Sequence, residues 1–240
     1  MHGFVRTVDG AIEVFDAPGA GTGYQQGTYA LNINASGTVV GFYWDSNLLF
    51  HGFERTADGV TAAVDVPGAI ATYAQSINDK GVVAGFYQTS DSASHGFLRS
   101  VKGKFTTFDV PGSTTDTRVS GINSKGAIVG WYQDTRCCAL VHGYIRSADG
   151  IFTVFDVDQP GGDTTPVAIN TKGVVTGFYY LGNRRFGFTR WPNGIIKTFR
   201  VPGAKITMPL SINASGAIAG YFSLPVYKHV YLSYGFIRTP

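Results

Sequence analysis

Charge is scarce in this chain. Asp, Glu, Lys and Arg make up 15% of its 240 residues, and only two of these are glutamates, Glu13 and Glu54. Nineteen basic and sixteen acidic side chains, spread along the sequence, leave a net charge of +3. That is too weak a balance for a nucleic-acid or anionic-membrane surface. No apolar run approaches a bilayer span, so no membrane insertion is expected. Cysteine is limited to the adjacent pair Cys137 and Cys138, which excludes a framework of long-loop disulfides. The pair reads as two loop thiols, with a strained vicinal disulfide as the alternative. No spacing of Cys, His or acids suits a metal, and Gly19 to Gly23 lacks the following helix that a phosphate loop needs. Neither metal nor cofactor is expected.

What is abundant is glycine, 32 residues, together with 14% aromatics and 10 prolines, the balance of short strands and tight turns. The sequence also repeats itself. An I-N-x-x-G turn recurs at Ile33-Asn34, Ile77-Asn78, Ile122-Asn123, Ile169-Asn170 and Ile212-Asn213, in steps of 44, 45, 47 and 43 residues. Copies of G-[FWY]-[YF], H-G-F-x-R and F-D-V-P-G lie between these turns.

Each unit resolves into four short strands, here called a to d, exemplified by residues 72–78, 82–87, 95–99 and 105–109. Glycine-bearing turns close the a–b and c–d hairpins. Four-stranded units of about 45 residues suit propeller blades. The expectation is an all-β, five-bladed β-propeller of four-stranded antiparallel blades, one domain over residues 1–240. The amino-terminal segment would close the fifth blade. Six c-like copies exist, so one of residues 2–6 and 234–238 is surplus to that count.

The H-G-F strand and the I-N-x-x-G turn, recurring over essentially the whole chain, resemble the HAF extracellular repeat family of bacteria. His2, His51, His95 and His142 keep that pattern, and Phe186 and Tyr234 depart from it. The resemblance implies a secreted or cell-surface bacterial protein, its signal peptide absent from this chain. It implies no activity.

Repetition also argues that most polar motif residues are scaffold. His2 and Asp16, His51 and Asp65, His95 and Asp109, and His142 and Asp156 are each 14 residues apart, opposite one another across a c–d hairpin and suited to pairing. In the next unit both change together, to Phe186 and Arg200. The arginines Arg6, Arg55, Arg99, Arg146, Arg190 and Arg238 read as braces of the hairpin or a neighbouring blade.

Function is expected where the repeat breaks down. The a–b and c–d turns are uniform, whereas the b–c loops and d–a crossings vary in length, and binding chemistry concentrates on variable loops held by a rigid scaffold. After the threonine that opens each strand a stand Tyr29, Tyr73, Arg118, Thr165 and Met208, candidate ligand-binding residues at a channel mouth. Trp44, Tyr180, Arg184 and Tyr227 join them from the loops. His229, the one histidine outside the repeat, is the candidate catalytic acid–base. The first reading is a binding module for a glycan or other polar small molecule, in the manner of five-bladed lectins. The second is an enzyme acting on sugars or a polar ring substrate at the same mouth. The third is a scaffold for a protein partner.

Overall fold

In the computed structural model the chain is built of β-strands, with no α-helix among the described residues, which are 1–113, 115–134, 140–157, 162–227 and 230–240. Two compact units are formed, Met1–Asp109 and Val110–Pro240. In the first, β1 (Gly3–Arg6) and β2 (Ile12–Phe15) make a hairpin. Two four-stranded antiparallel sheets follow: β3 (Gly27–Ile33), β4 (Val39–Trp44), β5 (Phe50–Arg55) and β6 (Thr61–Ala63), then β7 (Ala71–Ile77), β8 (Val83–Gln88), β9 (Ser94–Arg99) and β10 (Phe105–Phe108).

The second unit continues the pattern with β11 (Thr117–Ile122), β12 (Ile128–Gln133), β13 (Val141–Arg146) and β14 (Phe152–Phe155). Next come β15 (Thr164–Ile169), β16 (Val175–Leu181), β17 (Arg184–Arg190) and β18 (Ile196–Phe199). The last module has three strands, β19 (Ile206–Ile212), β20 (Ile218–Tyr227) and β21 (Val230–Arg238), joined to β17 by one parallel bridge, Arg185 to Ile206.

The a-to-d order is therefore as expected, and the strand ends fall within a residue of those read from the repeat. The last module contributes three strands, and β2 pairs with β1 in a two-stranded sheet. Both c-like copies in question are strands, β1 and β21, in different sheets.

Every strand a carries a β-bulge, between Ala30 and Asn32, Ala74 and Ser76, Val119 and Gly121, Pro166 and Ala168, and Pro209 and Ser211. The bulge explains the glycine of G-[FWY]-[YF]. A Cβ added at Gly41, Gly85, Gly130, Gly177 or Gly220 would overlap the carbonyl oxygen of Tyr29, Tyr73, Arg118, Thr165 or Met208, so strand b approaches strand a closely only without a side chain there.

The threonine opening strand a is buried in all five modules. Its hydroxyl accepts from the backbone N–H at the end of the preceding d segment: Ala17 to Thr28, Val66 to Thr72, Val110 to Thr117, Val157 to Thr164 and Val201 to Thr207, at 2.9–3.2 Å. These bonds fix each d–a crossing, so the threonines are scaffold. The cores lie between successive sheets. Val40, Val64, Val66, Ala74, Ile77, Val83 and Phe97 form one in the first unit, and Val129, Phe155, Val157, Ile169, Val175, Tyr179 and Phe188 one in the second. Each valine, isoleucine or phenylalanine among them contributes about 1.5–3 kcal/mol when fully buried.

The asparagine of each a–b turn has two tasks. Its Oδ1 accepts from the backbone N–H groups two and four residues on, at 3.0 Å each for Asn78, Asn123 and Asn170. Its Nδ2 donates to the backbone carbonyl of the next module's asparagine, from Asn34 to Asn78 (3.2 Å), Asn123 to Asn170 (2.9 Å) and Asn170 to Asn213 (3.0 Å). One residue type thus folds the turn and links neighbouring modules.

Candidate functional site

The four histidine–aspartate pairs form as read, with Nδ1 2.9, 2.9, 2.9 and 2.8 Å from the carboxylates of Asp16, Asp65, Asp109 and Asp156. A tyrosine of strand b lies against three of these rings: Tyr43 on His51 (5.0 Å), Tyr87 on His95 and Tyr132 on His142 (5.3 Å). Where the pair is replaced, Arg200 lies over Phe186 at 5.7 Å and Tyr179 stacks on that ring. An ion pair has become a cation–aromatic pair on the same two strands. These groups hold the c–d hairpin.

The other face of strand b carries the candidate site. Residues alternate across a strand, so the first aromatic after the glycine points away from the histidine, toward the variable residue of strand a. The register pairs are Tyr29 with Phe42, Tyr73 with Phe86, Arg118 with Trp131, Thr165 with Phe178 and Met208 with Tyr221.

In the first unit this produces a continuous aromatic band. Tyr29 stacks on Phe42 (4.7 Å) and Tyr73 on Phe86 (4.5 Å), while Phe42 and Phe50 each meet Tyr73 at 5.2 Å. Trp44 stacks on Phe50 at 4.8 Å. The Tyr29 hydroxyl donates to the Gln25 carbonyl at 2.7 Å. The indole N–H of Trp44 is buried and meets no acceptor among the described residues. Tyr29, Trp44 and Tyr73 are thus brought together, and Phe42, Phe50 and Phe86 complete the band. The signal for Phe42 and Phe86 was the two-residue alternation of G-F-Y itself.

The second unit replaces ring-on-ring contacts by cations on rings. The Arg118 guanidinium lies 5.0 Å from Trp131 and pairs through Nε with Asp116 at 3.2 Å. Arg185 lies over Tyr180 (4.9 Å) and Phe178 (5.8 Å). The arginine that engages Tyr180 is therefore Arg185, whereas Arg184 is exposed at the hairpin tip. Thr165 and Met208 occupy the register positions given above. Tyr227 is 77% exposed at the far end of β20, apart from these clusters. His229, with Lys228, Arg136, Cys137 and Cys138, lies outside the described residues.

Cavities among the described residues lie away from these clusters. One of 200 Å³ lies between β1 and β3, bordered by Phe4, Arg6, Leu31 and Ile33. Two others, of 330 and 350 Å³, lie among the uniform turns, one in each unit. Among the described residues no three His, Cys, Asp or Glu cluster as metal ligands would.

The motif arginines brace neighbouring segments in the first unit. Arg55 donates to Glu13 and lies over Phe15, and Arg99 donates to Glu54 at 3.0 Å. In the second unit Arg190 lies over Phe155 (4.8 Å) and Arg238 over Phe199 (4.7 Å). Burial holds the Arg190 guanidinium below its ordinary pKa. The scattered charge of the sequence proves to be partitioned: six basic and ten acidic residues in Met1–Asp109, net −4, and thirteen basic and six acidic in Val110–Pro240, net +7.

No family model matches this chain, and neither does any curated protein. Solved structures do match in fold. Virginiamycin B lyase from Staphylococcus aureus superposes with a TM-score of 0.58 at 16% identity, over 97% of this chain and 76% of that one. A streptogramin B lyase gives 0.60 at 13% identity, over 97% and 75%. A catalytically inactive variant of the Staphylococcus aureus lyase, solved with quinupristin, gives 0.60 at 16% identity, over 97% and 76%. At these identities the likeness is one of fold: a β-propeller-like all-β repeat.

Proposed function

We propose that this protein is a β-propeller module that binds a polar, ring-bearing small molecule on the band formed by strands a, b and c. The observation that carries this reading is the stacked series Tyr29, Phe42, Tyr73 and Phe86, flanked by Phe50 and Trp44, with the unpartnered Trp44 N–H at its margin. Stacked aromatics offer a flat apolar surface on which a ring can lie. The solved structure holding quinupristin supports a ring-bearing ligand over the glycan of the first expectation. Saturable quenching of tryptophan fluorescence by quinupristin, and its loss in Tyr29→Ala and Tyr73→Ala, is the expected result. Retained quenching in both variants removes the band from binding.

A second reading, a lyase acting on such a ligand, draws support from the similar solved structures being lyases. The four motif histidines are held by aspartates, so His229 is the proposed acid–base. Mass spectrometry of quinupristin incubated with the protein tests this reading. Cleavage that survives His229→Ala excludes that residue, and absence of cleavage excludes this reaction. A ring of five modules and a secreted or cell-surface location belong to the same proposal, and rest on the fivefold repeat and on the H-G-F and I-N-x-x-G motifs respectively.

A further inference from the structure

The acids of the second unit all precede β15. From Thr164 to Pro240 the chain has nine lysines and arginines and no aspartate or glutamate. Part of this charge is gathered at the end of the strands that holds the b–c hairpin tips and the d–a crossing. Arg184 stands at the tip of the β16–β17 hairpin, opposite Leu181, and is exposed. The Arg185 backbone N–H donates to the Lys205 carbonyl at 3.1 Å, and the Lys205 ammonium donates to the Tyr231 hydroxyl at 2.8 Å and lies over that ring. Arg200, also exposed, rests on Phe186. One run of contacts thus joins the two hairpins through the crossing between them. None of Arg184, Arg185, Arg200 and Lys205 forms an ion pair with a carboxylate among the described residues. The last acid of the sequence, Asp163, accepts from the Val141 N–H at 3.0 Å. Lys172, Arg238 and Pro240 lie among the a–b turns at the opposite end, outside this face.

Apolar side chains stand in front of these cations. β20 and β21 stay paired past Ser223, where the pairing of β20 with β19 ends, through Leu224 with Leu232 and Tyr227 with Val230. This ribbon projects on the order of 10 Å at the usual rise of a strand. On it Val226, Tyr227, Val230 and Leu232 are 59, 77, 50 and 49% exposed, and Leu181 is 41% exposed at the neighbouring tip. Pro225 removes an N–H from the β20 edge, which disfavours the addition of a further strand there. The matching tips of the first unit, residues 44–50 and 88–94, hold Asp45 and Asp91 and no lysine or arginine. The same place in the repeat thus carries opposite charge in the two units.

We propose that this end of the second unit docks on an anionic lipid surface. Val226, Tyr227 and Val230 enter the boundary between headgroups and acyl chains, while Arg184, Arg200 and Lys205 stay at the level of the phosphates. Apolar tips with cations behind them match the layers of a bilayer surface, whereas a soluble polyanion would leave the aliphatic tips in water. The small total charge of the chain conceals this face, because acids elsewhere offset it. The face is built from residues outside the aromatic band and does not depend on the function proposed above.

Cosedimentation of the full chain with vesicles is the test. Binding is expected to vesicles of mixed phosphatidylcholine and phosphatidylglycerol, and little to phosphatidylcholine alone. Arg184→Gln and Arg200→Gln should each weaken it about fivefold, the share of one cation near an anionic surface. Tyr227→Ser should weaken it about tenfold, the share of an aromatic side chain withdrawn from water. Lys172→Gln, at the opposite end, should leave it unchanged. All four positions are exposed, and circular dichroism verifies that the variants fold. No binding to the mixed vesicles overturns the proposal. So does equal loss in Lys172→Gln and Arg184→Gln, which would mean that net charge alone acts. Binding of heparin or single-stranded DNA that Arg184→Gln and Arg200→Gln weaken, with vesicle binding indifferent to Tyr227→Ser, would assign the face to a soluble polyanion and overturn the lipid reading.

Discussion

The two units are made from one module yet partner their arginines differently. In Met1–Asp109 the chain's only glutamates, Glu13 and Glu54, are both spent as partners of the next module's arginine. In Val110–Pro240 the positions matching Glu54 are Ile145 and Thr189, and the arginines that follow, Arg190 and Arg238, keep the contact with a phenylalanine ring that Arg55 makes with Phe15 but have no glutamate beside it. A planar guanidinium accepts either environment, because its face stacks while its edge donates. The difference teaches that a repeat fixes where a side chain points and leaves its chemical partner free to drift. The same holds across the aromatic band, where Tyr73 on Phe86 in one unit becomes Arg118 on Trp131 in the other.

If the backbone frame is common and only partners differ, changes to the frame must cost the same in both units. Gly85→Ala and Gly177→Ala each drive a methyl into the carbonyl oxygen of the bulged strand a, at Tyr73 and Thr165. Each should destabilise by about 3 kcal/mol or more, the range of overpacking against backbone that cannot yield. Chemical denaturation measures this. A cost near zero in one unit would show that its bulge relaxes, and the frame would not be shared.

The frame was legible in the sequence to a large extent, and for a physical reason. Strand alternation and the left-handed glycines of the c–d turns (φ +94 at Gly10 and +93 at Gly59) are local features repeated five times, and the paired histidines and aspartates four times, so chance agreement averages out. Asn34 and its counterparts read correctly as turn formers, but their bond to the next module's carbonyl is a tertiary contact some 45 residues away that no local pattern announces. The bulge glycines were visible as a motif, although their cause was not. The partition of charge was hidden by its own sum, since −4 and +7 combine to a small total. Of the candidate site, the variable residues of strand a were legible, whereas the phenylalanines opposite them recur with the motif and so look like scaffold. That Arg185 rather than Arg184 meets Tyr180 follows from the register at the hairpin tip, which composition does not set.

A smaller effect separates the pairs themselves. His142 with Asp156 and Phe186 with Arg200 are alternative occupants of one cross-strand position within the second unit. Asp156→Arg alone places a guanidinium beside His142 and should cost about 1 kcal/mol, discounted because the carboxylate is 43% exposed. Adding His142→Phe should recover most of that loss, since it recreates the pair next door. A double variant no more stable than the single one would show that the two positions are not coupled, as a double-mutant cycle on thermal unfolding would reveal.

The smallest expected difference is in acid. Four aspartates of the first unit have pKa values lowered by hydrogen bonds they accept: Asp9 from the Thr7 hydroxyl, Asp58 from Thr56, Asp91 from Thr89, and Asp45 chiefly from the Leu49 backbone N–H. Among the described residues of the second unit only Asp149 does so, through Ser147. A carboxylate whose folded pKa lies below its unfolded value lends stability that is fully present above the unfolded value, about 3.9, and is lost as the pH falls through the folded one. The first unit should therefore loosen sooner below about pH 4, as faster amide exchange at its turns than at those of the second unit. Because four of the five groups are exposed and only Asp45 is partly buried, the separation should be modest. Equal exchange in the two units would mean that these turn bonds persist as strongly in the unfolded chain as in the folded one.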